Sequence, residues 1–586
     1  MQPTNIEHIR HSFAHLLAAA VKKLYPKAKL GIGPVIENGF YYDFGNIRLT
    51  DEDLPKIEEE MRKIGQENNV FQKELWTPLK ATAYFTKKDP QPYKRELVKD
   101  LKKEGTKKVG MVAMGKVFLD LCRGGHVKNT RELPLDAFKL TRVAGAYWRG
   151  SEKNPMLTRV YGLAFSTRKE LESHIAILKE AEKRDHRKLG KELELFAIAE
   201  DVGPGLPMFY PKGAILRRIV EDYIVELQER KGYKPIWIPH ITKGELYKTS
   251  GHLDKFDALY PPMKLESETN YYLKPMNCPH FMVLYKTIGH SYRDLPVRWT
   301  STTTNYRYEK SGELFGLTRV RALTQDDCHV FLRQDQIAQE INLMLDMIQE
   351  TYAKFGFKDF WVRVSTRDPK IKKKYIGDEK IWNESEKALS RLIEKRGWKH
   401  QIGEGEAAFY GPKLDFLLKD ALGREWQLST IQLDMNLPGR FKLEYTDEKG
   451  EKQQPIVLHR AILGSTERFL GILIEHYAGA FPLWLAPEQI WILPLSDKFA
   501  AYAREIAQAL VGTALRVVVR EENETLGKKI REGELQKIPY LLIVGERETQ
   551  SNTVSVRARG KGDLGQMNIA EFLKKVEDEI KMQINK

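Results

Sequence analysis

Between Tyr306 and Phe331 the chain reads YRYEKSGELFGLTRVRALTQDDCHVF, a stretch dense in groups that grip phosphate, accept protons or ligate metals. Arg307 and Glu309 stand two apart, as do Arg319 and Arg321, and Gln325, Asp327 and His329 continue the alternation. Side chains of a strand alternate faces, so each set shares one surface. The segment KSGELFG, with Gly312 and Gly316, predicts a turn. The whole predicts a hairpin with Arg307 and Glu309 on its first strand and Arg319 and Arg321 on its second. Two readings of that hairpin stand side by side. Its charges face water, or they clamp phosphates through guanidinium forks and offer an imidazole to a metal. A second cluster lies near the N-terminus. In IEHIRHSFAHLL, His11 and His15 are four apart and lie on one helical face. In LDLCRGGHV, Cys122 and His126 are also four apart. The four form a metal-ligand set, or position a water for hydrolysis, or are two unrelated pairs.

The elements that must position these groups follow from periodicity. IEHIRHSFAHLLAAAVKKLY repeats its apolar residues at helical spacing, which predicts an opening helix. KLGIGPVIENGFYYDF predicts two strands. Its GxG precedes a proline and opens no helix, so it is not a phosphate loop. From Arg168 the run RKELESHIAILKEAEKRDHRKLGKELELF predicts a charged linker helix. ILRRIVEDYIVELQERKGY predicts a long amphipathic helix, and KPIWIPHI a buried strand ending at Pro239. LHRAILGSTERFLGILIEHY predicts a strand that enters a helix through a glycine, with Arg468 one turn in. Beyond Leu485 the short apolar runs WILPL, LRVVVR and YLLIVG alternate with helical stretches, as in a small α/β domain with a partly parallel sheet.

The bulk numbers bound the class. The 586 residues are enough for several domains. Lys and Arg total 95 against 80 Asp and Glu, a formal charge of +15 that suits a polyanionic partner such as nucleic acid. No apolar run reaches the length of a membrane span, and the N-terminus has no signal-like apolar core. A cytoplasmic protein is expected. The three cysteines, Cys122, Cys278 and Cys328, are too few and odd in number for a disulfide framework.

A strand ending in proline, a strand–turn–strand with Arg and Glu, and a glycine-entered helix with Arg come in the order of the three motifs of class II aminoacyl-tRNA synthetases. LKPMNC, RYEKSGEL, GLTRVRALTQDD, GPKLDF and LHRAILGSTERF resemble the threonyl-tRNA synthetase family. HSFAHLL, CRGGH and the C-terminal domain extend the resemblance over essentially the whole chain. The form expected begins at the editing domain, without the small TGS domain. The resemblance implies an α+β multidomain protein. An α/β editing domain spans 1–167, a linker helix 168–195, a class II antiparallel-sheet catalytic domain 196–485 and an α/β anticodon-binding domain 486–586. It implies a homodimer that ligates L-threonine to tRNA(Thr) through threonyl-adenylate, using ATP with Mg²⁺, and that hydrolyses mischarged seryl-tRNA(Thr).

The resemblance also implies roles for single residues. Arg307 would stabilise the α-phosphate, Arg468 the distal phosphates, and Lys413 would join them as a catalytic group. Glu309, Arg319 and Gln432 would complete the ATP site, with Glu309 accepting from the adenine amino group. Cys278, His329 and His459 would hold one zinc with an open position, as a substrate-binding site requires. Asp327, Gln325, Tyr410 and Ser465 would surround threonine, Asp327 accepting from its hydroxyl. His11, His15, Cys122 and His126, with Lys94 and Asp120, would line the editing site and work through ordered water. Asn523, Glu548 and Arg557 would read the anticodon, with Arg531 and Lys537 nearby. Four departures from the family pattern stand out: Phe281 in MNCPHF, the run WTSTTTN before Tyr306, Gly125 in CRGGH, and Cys328 beside His329.

Overall fold

The computed structural model describes residues 5–264, 270–420, 423–511, 513 and 515–584. The chain divides into two compact units, Met1–Lys179 and Glu180–Lys586.

In the first unit helix α1 (Ile6–Leu24) starts where Asn5 accepts from the Glu7 N–H at 2.9 Å, an N-cap that satisfies one orphan donor. Its apolar stripe, Phe13, Leu16, Leu17 and Val21, is fully buried. It packs in one core with strand β1 (Gly39–Gly45) and helix α2 (Leu54–Gln66). The strand joins a five-stranded sheet, next to β6 (Met156–Ala164), which pairs in turn with β5 (Phe138–Tyr147). A separate antiparallel sheet has the order β2 (Phe71–Trp76), β3 (Val109–Met114), β4 (Phe118–Leu121). Between β2 and β3 lies helix α3 (Pro92–Lys103).

The second unit contains an eight-stranded sheet. Its strands are β7 (Lys234–Pro235), β8 (Val297–Tyr306), β9 (Ala322–Leu332), β10 (Phe360–Thr366), β11 (His400–Glu404), β12 (Lys413–Lys419), β13 (Glu425–Asp434) and β14 (Ile456–Ala461). The order is β7-β8-β9-β14-β13-β12-β10-β11, antiparallel except at its two ends. Helices α5 (Pro211–Arg230), α7 (Ile337–Lys354) and α8 (Thr466–His476) share one core with it. Val220 and Ile224, Leu345 and Ile348, and Phe469 and Leu473 meet Val330, Leu414, Phe416 and Leu458 there. Helix α4 (His186–Glu192) precedes α5, and α6 (Cys278–Lys286) lies between them and β8.

The C-terminal part has β15 (Ile490–Pro494), β16 (Val517–Val519), helix α9 (Leu526–Leu535), β17 (Tyr540–Val544), helix α10 (Glu546–Ser551), β18 (Val554–Ala558) and β19 (Gly562–Met567). The first three strands pair in parallel and the last two in antiparallel fashion, the mixed sheet expected.

Two local expectations need correction. Arg307, Glu309, Arg319 and Arg321 are not on strands. β8 ends at Tyr306 and β9 starts at Ala322, so all four lie in the connecting loop. The ladder stops because its amides find other acceptors: Tyr308 N donates to Ala258 O, Glu309 N to Arg307 O and Arg321 N to Gly205 O. KPIWIPHI is not a buried strand either. Only Lys234 and Pro235 pair, with Trp299 and Thr300. Ile236 N donates to Thr300 O, and the run then leaves the sheet with Trp237 79% exposed. Pro235 and Pro239 have no N–H to extend a ladder.

Candidate active site

The loop between β8 and β9 and the N-terminus of α8 bring three arginines together. Gly464, at φ +72, turns β14 into α8. Ser465 caps that helix by accepting from Arg468 N at 3.1 Å. Arg468 Nε donates to Thr318 O at 2.9 Å and Nη1 to Gln427 O at 3.2 Å, which orients the guanidinium across the loop. Arg307 Nε donates to Pro275 O at 3.2 Å. Burial, and then the fields of Arg307 and Arg319, push the Arg468 pKa down. Like charges crowded in this way call for a polyanion between them. Glu309 is ion-paired with Arg319 at 3.0 Å, and Arg319 also reaches Glu313 at 2.6 Å. Lys413 pairs with buried Asp415 at 2.6 Å. Gln432 accepts from the Tyr410 hydroxyl.

A second constellation sits on the same sheet. Register sets His329 of β9 directly opposite His459 of β14, and ring centroids lie 4.4 Å apart. Cys278 reaches the pair from the first turn of α6. Their ligand atoms lie within 4.8 Å of one another, and all three residues are buried. Neither ring nitrogen of His329 and not Nδ1 of His459 makes a hydrogen bond. Unpaired buried polar atoms are costly, so several aimed at one point fit a soft N/S-ligated cation. His459 Nε2 donates to Asp434 Oδ2 at 3.0 Å, which fixes the tautomer and turns Nδ1 toward the other two ligands. Burial lowers the His459 pKa, but the Cys278 sulfur and the Asp434 carboxylate outweigh it and hold it up to about 10. Phe281 stacks on His329 at 4.1 Å and walls the site.

Beside the cluster, Asp327 accepts from Asn277 Nδ2 at 2.9 Å. Burial raises its carboxyl to about 6 against that bond. Lys274, whose Nζ donates to Thr303 Oγ1 at 2.7 Å, is pushed down to about 8 by burial. Gln325 is held by Asn305 at 2.7 Å and by Gly464 O at 3.2 Å. The adjacent acid, Asp326, faces the other way. Its oxygens take the N–H groups of Ile462 and Leu463 at 2.8 and 2.9 Å and so shape the turn into α8. Cys328 shares that core face and accepts from Arg460 Nε at 3.2 Å. Asn277, Asp434 and Asp326 are the supporting residues that sequence reasoning missed. The doublet Asp326–Asp327 did carry a signal, since alternation sends adjacent acids to opposite faces.

In the first unit the four expected residues converge. His11 stacks on His126 at 4.1 Å between centroids, and His15 lies 4.3 Å from it. Cys122 Sγ is 3.5 Å from His11 Nε2 and 3.3 Å from His126 Nε2. Gly125, at φ +90, bends the chain to bring His126 back over Cys122. Burial pushes His11, His15 and His126 down, which keeps the imidazoles neutral. Lys94 Nζ lies 2.7 Å from Asp120, which also accepts from Tyr42 OH at 2.5 Å. The neutral imidazoles can accept hydrogen bonds from a bound water and so orient it, while burial makes them weak proton acceptors.

In the C-terminal part Asn523 is exposed before α9, and Arg557 lies on β18, 3.9 Å from Glu534. Glu548 is buried. Its Oε2 takes Gly545 N at 2.9 Å, and Oε1 takes Ser555 Oγ at 2.8 Å and Gln566 Nε2 at 3.0 Å.

Comparison with known proteins bears on these clusters. Residues 262–477 match the family model of the tRNA synthetase class II core domain (G, H, P, S and T). Residues 489–579 match the anticodon binding domain. Residues 109–161 match the threonyl and alanyl tRNA synthetase second additional domain. The threonine–tRNA ligase of Rubrobacter xylanophilus is 49% identical over 582 residues, 99% of this chain and 89% of that protein. That of Cytophaga hutchinsonii is 47% identical over 578 residues, 98% and 88% of the two chains. Among solved structures, the RNA binding domain of threonyl-tRNA synthetase from Cryptosporidium parvum superposes with a TM-score of 0.64 at 36% identity, covering 67% of this chain and 98% of that one.

Proposed function

This chain belongs to the threonine–tRNA ligase family of class II aminoacyl-tRNA synthetases, and from that premise we propose how its residues ligate threonine to tRNA(Thr) and edit mischarged seryl-tRNA(Thr). ATP would lie among the three arginines, and Mg²⁺ bound with it would help neutralise its phosphate charge. A threonine carboxylate oxygen bonds to the α-phosphorus as the bond to pyrophosphate breaks. Arg307 stabilises the charge developing on the α-phosphate, and Arg319 and Arg468 take that on the leaving pyrophosphate. Lys413, held by Asp415, and Gln432, held by Tyr410, border the forming adenylate. Glu309 accepts from the adenine amino group and gives up part of its pairing with Arg319 to do so. Ser465 and Gln325 act by holding the turn that aims Arg468.

Cys278, His329 and His459 fit a zinc ion, which when bound would act as a Lewis acid toward the amino and hydroxyl groups of threonine. Asp327 accepts from the hydroxyl. Valine has no hydroxyl and leaves these groups unpaired, so it is rejected. Serine passes, because one methyl is worth only roughly 1–3 kcal/mol. The His11, His15, Cys122 and His126 cluster, with Lys94 and Asp120, positions the water that hydrolyses the seryl ester.

Asn523 and Arg557 reach exposed base edges of the anticodon, and Glu548 holds the turn at α10 that frames them. A homodimer belongs to the same reading. No helix among the described residues is long and apolar enough to cross a membrane, in keeping with a cytoplasmic place of work.

One observation carries the reading. Arg307 and Arg319 of the β8–β9 loop crowd Arg468 of α8, and a buried set is made by Cys278 of α6, His329 of β9 and His459 of β14. The test is ATP–pyrophosphate exchange with threonine, serine and valine in parallel. Threonine and serine should support exchange and valine should not. Exchange with valine at the threonine rate would refute it.

A further inference from the structure

His186 is a fully buried imidazole that no step above uses. It is the first residue of α4, whose cap Asp185 accepts from Arg187 N at 2.8 Å. Its Nε2 receives the Leu317 N–H at 3.0 Å, so Nε2 carries no proton and Nδ1 does. Nδ1 donates to Glu475 Oε1 at 2.7 Å, and the His186 N–H joins the same oxygen at 3.1 Å. Arg424 pairs with the other oxygen of Glu475. With both ring nitrogens engaged and an arginine on the carboxylate, Asp185, His186 and Glu475 offer little to a metal. They do join three elements: α4, the 307–321 loop and the last turn of α8.

The join is tight. Gly316 sits at φ +48, and a Cβ there would lie 2.0 Å from His186 Nε2. On α8, a Cβ at Gly471 would lie 3.1 Å from Thr318 Cγ2 and 3.3 Å from Leu317 Cβ, so loop and helix are in direct contact. Arg187 covers the ring of Phe315 at 4.0 Å. Leu317 is followed by Thr318, whose carbonyl receives Arg468 Nε, and then by Arg319. One imidazole therefore spans from the backbone of the loop that carries Arg319 to the helix that carries Arg468.

We infer that His186 is a positioning residue for ATP: by tying the Leu317 amide to Glu475 it sets the gap between Arg319 and Arg468 that receives the distal phosphates. This rests on the phosphate roles proposed above for those arginines. Removing the acceptor leaves a buried N–H unpaired, and a loss of that kind corresponds to about tenfold in an equilibrium that depends on it.

The test uses two substitutions in the full chain. H186N puts an amide at the level of Nδ1, which keeps Glu475 and leaves Leu317 N–H without an acceptor. H186Q extends to the level of Nε2, where its oxygen replaces the lost acceptor. In threonine-dependent pyrophosphate exchange, H186N should raise the ATP KM about tenfold and leave the threonine KM within twofold. H186Q should recover most of the loss. Amide hydrogen exchange across residues 315–319, measured without substrates, should quicken in H186N and stay near the parent in H186Q. An unchanged ATP KM in H186N overturns the inference whatever the loop does, and so does unchanged amide exchange. Equal rises in both KM values also overturn it, because they mark a general structural role. A parent protein with no threonine-dependent exchange refutes the ligase reading itself, a result distinct from all of these.

Discussion

Asp434→Asn tests the proposed zinc site without touching a ligand. Asp434 is fully buried, and its two oxygens have separate duties. Oδ2 accepts from His459 Nε2 at 3.0 Å, while Oδ1 takes the N–H groups of Asn436 and Leu437 at 2.9 Å each. Asparagine has the same shape. Its amide oxygen must stay on the two backbone donors, since the flipped orientation would set an NH₂ against two N–H groups. The NH₂ therefore faces His459 Nε2. A donor there forces Nε2 to accept, and the ring proton moves to Nδ1, the nitrogen turned toward Cys278 and His329. The lone pair needed for ligation is lost unless that proton leaves. Removal of such an outer partner typically costs 10–100-fold in metal affinity, or roughly 1.4–2.7 kcal/mol. Complete burial of the pair puts the expectation at the upper end. The assay is competition for zinc against a chromophoric chelator, with the thermal midpoint as a control on folding. The threonine KM in pyrophosphate exchange should rise in step, and the ATP KM should not move. Parent-like zinc affinity in the variant would refute the reasoning, as would a parent protein that holds no zinc.

Other outcomes follow from the same geometry. Arg307→Ala and Arg468→Ala should each lower threonine-dependent exchange by about 10²–10³-fold while tRNA binding, which draws on a separate basic surface, persists; near-normal exchange in either contradicts the phosphate roles. A His11→Ala, His15→Ala double variant should charge threonine normally and accumulate seryl-tRNA, and a parent-like deacylation rate removes the editing role from these histidines. Lys274→Met should raise the thermal midpoint near pH 7, because burial holds the Lys274 ammonium down to about 8 from 10.5. Between those values the unfolded chain binds more protons than the folded one, so the parent gains stability as pH rises. The advantage of the variant should therefore shrink from pH 8 to 10.5, and a constant difference across that window would count against it.

Local pattern made part of the site legible. Alternation along β9 correctly put Asp327 and His329 on one face, and four-residue spacing paired His11 with His15 and Cys122 with His126. What local pattern missed depends on contacts between distant segments. Nothing near Cys278 indicates that a helix N-terminus will meet a cross-strand pair whose members are 130 positions apart, and only the family resemblance brought the three together. Arg307 and Arg319 alternate like strand residues, yet only the Arg307 amide still bonds across the hairpin, to Arg321 O, while the amides of Tyr308, Arg319 and Arg321 serve Ala258, Phe315 and Gly205 instead of a ladder. KPIWIPHI is apolar enough for a core strand, but its prolines cannot donate, and Trp237 turns outward. Asp434 and His186 act through partners 25 and 131 or more residues away, at a range no local pattern reaches.

The neighbouring acids of β9 also limit how this strand can change over evolutionary time. Asp326 folds the turn behind the sheet while Asp327 faces the pocket, so shape and chemistry are encoded one position apart. A single inserted or deleted residue upstream within the strand would exchange the two faces. It would point Cys328 into the pocket and bury His329 in the core. The 307–321 loop ahead of it has room to absorb a change of length near Gly312, where nothing lies within 4 Å of the position a side chain would take. Lineages of this protein should therefore differ in length at the loop tip and hold β9 invariant in length, even where its individual residues drift.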